Sequence, residues 1–204
     1  MQEDPGGAIP PNPQHRSEKS RRATLDAALD LCAEQGYAQV TVEGIAARAG
    51  VSKKTVYRWW PSKGAVVLEA VHGAAVQATV FPDTGDLAAD LRTQLSGVID
   101  VLSAPRTRSA FIGVLTEAQH DPDLAEQLHA QCIGPRVEQF DHRLRKAQEQ
   151  GRLPADTDLD VIMDLLYGPI FHRLMVHLPL PDEAYLRRVL DTVLPALDRP
   201  ARRG

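Results

Sequence analysis

The segment from Thr41 to Lys63, TVEGIAARAGVSKKTVYRWWPSK, is punctuated so closely that its backbone has few choices. Thr41 can cap a helix in which Val42, Ile45, Ala46 and Ala49 recur at three- and four-residue steps and form one apolar stripe. Gly50 and Val51 then turn the chain, Ser52 caps a second short helix, and that helix ends before Pro61. Ser62 caps the next one. Two short capped helices joined by a glycine-containing turn form a helix-turn-helix signature. One detail departs from the best start signal: a capping box would place Glu or Gln at position 44, where the chain has Gly44. Glu43 still favours the helix start through its charge.

The second of these helices carries an unusual display. Lys53, Lys54 and Thr55 lead it, and Tyr57, Arg58 and Trp59 follow on its later turn. Val56 and Trp60 lie four residues apart, so they share a face that can pack on the preceding helix. A helix in the DNA major groove needs donors at its N-terminal end to reach base edges. It also needs cations and hydroxyls around that end to engage phosphates. Lys63, opening the next helix, can meet a phosphate at the exit of the turn. Charge agrees: residues 14–64 hold nine Lys and Arg against five Asp and Glu, whereas 65–204 hold fourteen against twenty. A cationic head on an acidic body suits a polyanion partner.

Elsewhere the chain is helical in pattern, with no strand-like alternation between hairpin turns. Helices are expected at 17–35, from 62 to about 80, and at 86–103, 106–119, 122–150, 158–177 and 182–197, the last five divided by Pro105, Pro122, Gly151, Pro154, Pro179 and Pro181. Gly134-Pro135 and Gly168-Pro169 fall inside two of them and predict bends. Residues 1–15, rich in proline and poor in apolar side chains, are expected to be a disordered arm, and 199–204 a flexible tail. The implied organisation is a DNA-binding head at 16–64 and a helical body at 65–198. No apolar run is long enough to span a bilayer, and the start has no secretory pattern, so the expectation is a cytoplasmic protein without a membrane partner. Cys32 and Cys132 lie outside metal-type spacing and read as small core residues. His120, His129, His142, His172 and His177 show no ligand spacing with them, so neither a metal nor a cofactor is expected.

The run RRATLDAALDLCAEQGYAQVTVEGIAARAGVSKKTVYRWWPSKGAVV resembles the DNA-binding head of TetR-family transcriptional regulators. The likeness extends from Arg21 to Leu68, and includes G-Y before the Thr cap, I-A-x-x-A-G-V-S, the aromatic cluster and P-S-K in order. The resemblance implies that Thr41, Ser52, Lys53, Lys54, Thr55, Tyr57 and Lys63 occupy DNA-facing positions. Tyr57 and Lys63 fall where the family commonly contacts phosphate, and Lys53, Lys54 and Thr55 where it commonly reads bases. Arg58 and Trp59 sit at positions that vary. Trp60 replaces the usual Phe and is assigned to the core of the head, with Tyr37.

The segment DLDVIMDLLYGPIFHRLMVHL is apolar nearly all round, so it must be buried on two sides. One side can meet its own core; the other needs a partner. The resemblance implies dimerisation through the last two helices, for which Ile162, Leu166, Ile170, Leu186, Leu190, Val193 and Leu197 are the candidates. It also implies a small-molecule effector site in the body. Phe111, Leu115, Met163, Tyr167 and Phe171 are candidates to line it, with Gln119 or His172 as polar anchors, although core packing serves each singly as well. The expected function is a homodimeric, effector-responsive repressor on a palindromic operator, with an all-α fold. Two other classes stay open: a helical carrier or enzyme with a vestigial head, and a sequence-indifferent architectural DNA binder. No metalloprotease, phosphate-loop or nucleophile-elbow motif speaks for an enzyme.

Overall fold

The computed structural model describes residues 13–76 and 81–197, with side chains described for 17–76 and 81–195. The helices are α1 Pro13–Gln35, α2 Val42–Ala49, α3 Lys53–Trp59, α4 Lys63–Val76, α5 Leu87–Ser103, α6 Pro105–Ala118, α7 Pro122–Leu128, α8 Gly134–Glu149, α9 Leu159–Met175 and α10 Glu183–Leu197. No strand occurs among the described residues, and none of their helices is long and apolar enough to cross a membrane. Caps set these boundaries. Side-chain oxygens of Thr41, Ser52, Asp86, Asp121 and Asp158 accept backbone N–H groups at the starts of α2, α3, α5, α7 and α9.

The expected boundaries hold to within two residues where they are described, with two corrections. Helix α1 begins at Pro13, so Pro13, Gln14 and His15 are helical rather than part of a disordered arm. Proline suits a first turn because the N–H it lacks has no partner there. The expected helix at 122–150 is three pieces: α7, a π-helical turn at His129–Ile133, and α8. Pro135 removes a ladder donor, and the backbone widens just ahead of it instead of bending smoothly. Helix α4 is described to Val76, so its expected end at Val80 lies outside the described residues, as do the rest of the arm and the 199–204 tail.

Two apolar clusters organise the chain. The first joins α1–α4 to α6 and α7 around Leu29, Cys32, Ile45, Val56, Trp60 and Leu68. The second joins α5, α8, α9 and α10 around Leu91, Leu95, Phe140, Leu144, Leu166 and Ile170. Phe111 of α6 packs against both. Helix α4 therefore shares one core with the head and with α6 and α7 of the body. At that joint a Cβ on Gly113 of α6 would fall 2.1 Å from Cγ of Tyr37, and a Cβ on Gly64 of α4 would fall 2.8 Å from Cδ2 of Leu124. Neither position accepts a larger residue without a shift of packed neighbours.

Candidate nucleic-acid interface and body cavity

Local chemistry builds the interface. The Thr41 hydroxyl accepts the N–H of Gly44 at 3.1 Å, and a Cβ at position 44 would sit 3.3 Å from that same oxygen. The missing capping-box residue is thus the price of a close cap. Gly50 closes α2 in the left-handed region at φ 67°, and its N–H bonds back to the last turn of α2. Ser52 accepts the N–H of Thr55 at 3.1 Å and shares a 2.9 Å hydrogen bond with the Thr55 hydroxyl. Val56 is fully buried and Trp60 nearly so, which fixes the roll of α3. Trp60 donates its indole N–H to Glu69 at 2.8 Å, and Glu69 also pairs with Arg21.

That roll turns Ser52, Lys54, Thr55, Tyr57 and Arg58 to one shallow concave surface. Ser52, Lys53, Lys54, Tyr57 and Arg58 are exposed, Tyr57 by half. Lys53 pairs with Glu43 of α2 at 2.9 Å, an exposed contact that holds the Glu43 carboxyl below and the ammonium above their ordinary ranges. Arg58 lies 5.1 Å from the Trp59 ring, and Trp59 is half-buried against Trp60. Lys63 is set differently: its ammonium lies 4.5 Å from the Tyr37 ring centre and 3.9 Å from Glu117 of α6. The structure thus groups most of the expected residues on α3 and places Lys63 at the joint with the body.

The body holds a cavity of about 380 Å³, within the usual range for small-molecule sites. Phe111, Met163, Tyr167 and Phe171 line it, as the sequence suggested. Leu115 instead packs toward the first core, Gln119 is exposed and donates to the Leu115 carbonyl, and His172 is exposed on the outer side of α9. Helical phase separates them: none of the three lines the cavity. Sequence reasoning assigned no lining role to Val71, Ala75, Val98, Val101, Leu102, Cys132, Ile133, Arg136, Val137, Asp164 or Gly168, which complete the lining. Periodicity marks an apolar face but not which part of it borders a void. Burial pushes the Cys132 thiol and the Tyr167 phenol upward, and Tyr167 donates to Gln94 at 2.6 Å. Both walls therefore stay neutral, while Arg136 and Asp164 bring opposite charges.

The interface candidates on α9 and α10 need a correction. Ile162, Leu166, Ile170, Leu186, Leu190 and Val193 are all buried in the second core of this chain, so they cannot face a partner. The Leu197 side chain lies outside the described residues. The apolar residues α9 leaves exposed are Val161, Leu165 and Met175, each near half exposed, with Val176 and Leu178 just beyond. The second face foreseen on this helix exists, one helical step away from the residues chosen for it.

Comparison with known proteins places this geometry. Residues 25–70 match the family described as bacterial regulatory proteins, tetR family, and residues 81–193 match the tetracyclin repressor-like C-terminal domain. The chain is 36% identical over 172 residues to the uncharacterized HTH-type transcriptional regulator YdeS of Bacillus subtilis, covering 84% of this chain and 86% of that protein. It is 30% identical over 190 residues to the DNA-binding transcriptional repressor TetR of Mycobacteroides abscessus, covering 92% and 98%. The crystal structure of the TetR family transcription regulator SCO0332 superposes with a TM-score of 0.73 at 35% identity, over 89% of this chain and all of that one.

Proposed function

The chain belongs to the TetR family of transcriptional regulators, and from that premise we propose that it is a homodimeric repressor released from a palindromic operator by a small, mainly apolar effector. The observation that carries this reading is α3 itself: a short capped helix, locked in roll by Val56 and Trp60, with hydroxyls and cations on its free face. Lys54 and Thr55 are placed early on that helix to read bases, and Thr41, Ser52, Tyr57 and Arg58 to meet phosphate and fix register. Lys53 must leave Glu43 to join them, and Lys63 must leave Glu117.

The exposed row on α9 supports dimerisation through the last two helices. Two copies of α3 related by a two-fold axis read half-sites about one helical turn, roughly 34–36 Å, apart. The apolar cavity supports an effector of the same character, and Phe111 ties the wall of that cavity to the helix that holds Tyr37 and Glu117 at the joint. An effector releases DNA only by binding the DNA-incompetent arrangement more tightly. The repressor sign draws support from the name of the Mycobacteroides abscessus relative. Selection of bound fragments from random duplex DNA is the test. Enrichment of a two-fold symmetric site is the expected result. Retention without a preferred sequence would favour an architectural binder, and no retention a helical carrier with a vestigial head.

A further inference from the structure

Helix α9 carries two surfaces that meet along one edge. Val161, Leu165, Gly168, His172 and Met175 recur at steps of four, three, four and three residues, and all five are exposed. That alternation suits the seam of a two-helix coiled contact, and all five positions stay exposed among the described residues. The cavity lies on the adjoining side of the same helix, lined by Met163, Asp164, Tyr167, Gly168 and Phe171. Gly168 belongs to both surfaces, and Asp164 beside the seam lines the cavity and is exposed. Beyond its own turns of helix, a Cβ added at Gly168 would meet nothing within 4 Å among the described residues. The cavity therefore opens beside the seam.

Resting on the reading of the chain as a dimer, we propose that a second copy of this chain, seated on the α9 seam, forms the outer wall of the cavity, so that the effector site is complete only in the dimer. The occupant follows from the charges. The first turn of α9 is acidic, with Asp160, and its last turn basic, with His172 and Arg173. Antiparallel pairing about Gly168 sets each acidic start against a basic end, and it also opposes the two helix dipoles. Counting four residues either way from Gly168 brings Asp164 level with His172 of the partner subunit. Counting seven brings Val161 level with Met175 of the partner subunit. Glycine at the crossing lets the two backbones approach closely. Its second local role, relieving the clash that a Cβ makes with a following proline, concerns Pro169 and is compatible with this one.

The experiment uses the full chain and N-phenyl-1-naphthylamine, an uncharged fluorophore that brightens in apolar sites. Leu165→Asp alters the seam at a residue that neither lines the cavity nor belongs to the core. The expected result is a folded monomer by circular dichroism and sedimentation. Its affinity for the probe should fall by about tenfold or more, a usual size for coupling between sites. If Leu165→Asp fails to fold, Val161→Asp takes its place. A second arm reads the register: Asp164→Lys should weaken the dimer about tenfold or more by setting like charges together, and adding His172→Asp should restore it. Several results would overturn the inference: a folded monomer binding the probe within about twofold of the unaltered protein, an unaltered protein that does not bind it, a seam variant that stays dimeric, or no rescue by the charge exchange. The DNA selection is read separately, so a chain that selects a symmetric site yet binds the probe equally as a monomer loses this inference and keeps its proposed function.

Discussion

Helices α3 and α9 each leave one face bare, and the two faces are opposites. On α3 the free face is Lys53, Lys54, Tyr57 and Arg58, side chains whose polar ends remain solvated. On α9 it is Val161, Leu165 and Met175, which gain by leaving water. A bare cationic face costs little in isolation and waits for a partner that comes and goes. A bare apolar row of this length favours a lasting partner. The difference in chemistry thus matches the difference in duty proposed for the two faces: reversible contact with DNA at one end, lasting assembly at the other. Charge follows the same division. The ion pairs Glu34–Arg48 and Glu43–Lys53 of the head are exposed. The pair Asp90–Arg143 of the body is buried, at 2.6 Å, with Thr84 completing the carboxylate's hydrogen bonds.

The largest effect should come from two neighbours on α9. We predict that Leu166→Asp, with a side chain that is fully buried, loses about 4–5 kcal/mol or fails to fold. Leu165→Asp, half exposed, should keep its fold and lower the sedimentation coefficient. Urea unfolding of both variants breaks the comparison if they behave alike. Next, Asp90→Ala should cost about 3 kcal/mol, because it leaves the buried Arg143 guanidinium with only the exposed Asp83, 3.6 Å away. Burial alone would push the Asp90 carboxyl up, but the hydrogen bonds from Thr84 and Arg143 outweigh it and hold it below the ordinary range. The unfolded chain therefore takes up this proton first, at about pH 4. The stabilisation is present above that value and is lost as pH falls through the lower, folded one. In the Asp90→Ala variant this acid loss should shrink, which a denaturation series from neutral to acid pH measures.

Smaller effects belong to the head. Lys54→Ala should cost about 1–3 kcal/mol of discrimination between the selected site and scrambled DNA. Lys53→Ala should cost less, since Lys53 gives up Glu43 to reach DNA. Lys63→Ala should weaken both DNAs alike and lower the salt dependence by about one unit of log affinity per log salt. Titrations at several salt concentrations compare the three, and equal losses on both DNAs would remove the division between reading and anchoring. Smallest, Ser52→Ala removes the cap of α3 and should cost about 1 kcal/mol, seen as a lower melting temperature with the sedimentation of the unaltered protein.

The head was legible because its signals are local. Thr41, Gly50, Ser52 and Pro61 each act on the backbone within a few residues of themselves, so caps, turn and helix lengths follow from sequence order. Even Gly44 has a local cause, crowding at the Thr41 cap, though the distance had to be seen. The body was legible as helices and as a two-faced α9, because an apolar pattern wider than one stripe already demands two partners. Which residues meet which partner was another matter. Leu165 and Leu166 are chemically identical and adjacent, yet one is half exposed and the other fully buried. Only the packing of α5, α8 and α10 around α9 fixes that phase. The same holds for the cavity, where Phe111 lines the void and Leu115, one turn on, does not. Sequence determined where most helices begin, end and carry apolar surface, since those are short-range effects. Tertiary structure alone decided which apolar surface meets its own core, an empty space or another molecule, because that depends on neighbours dozens of residues away along the chain.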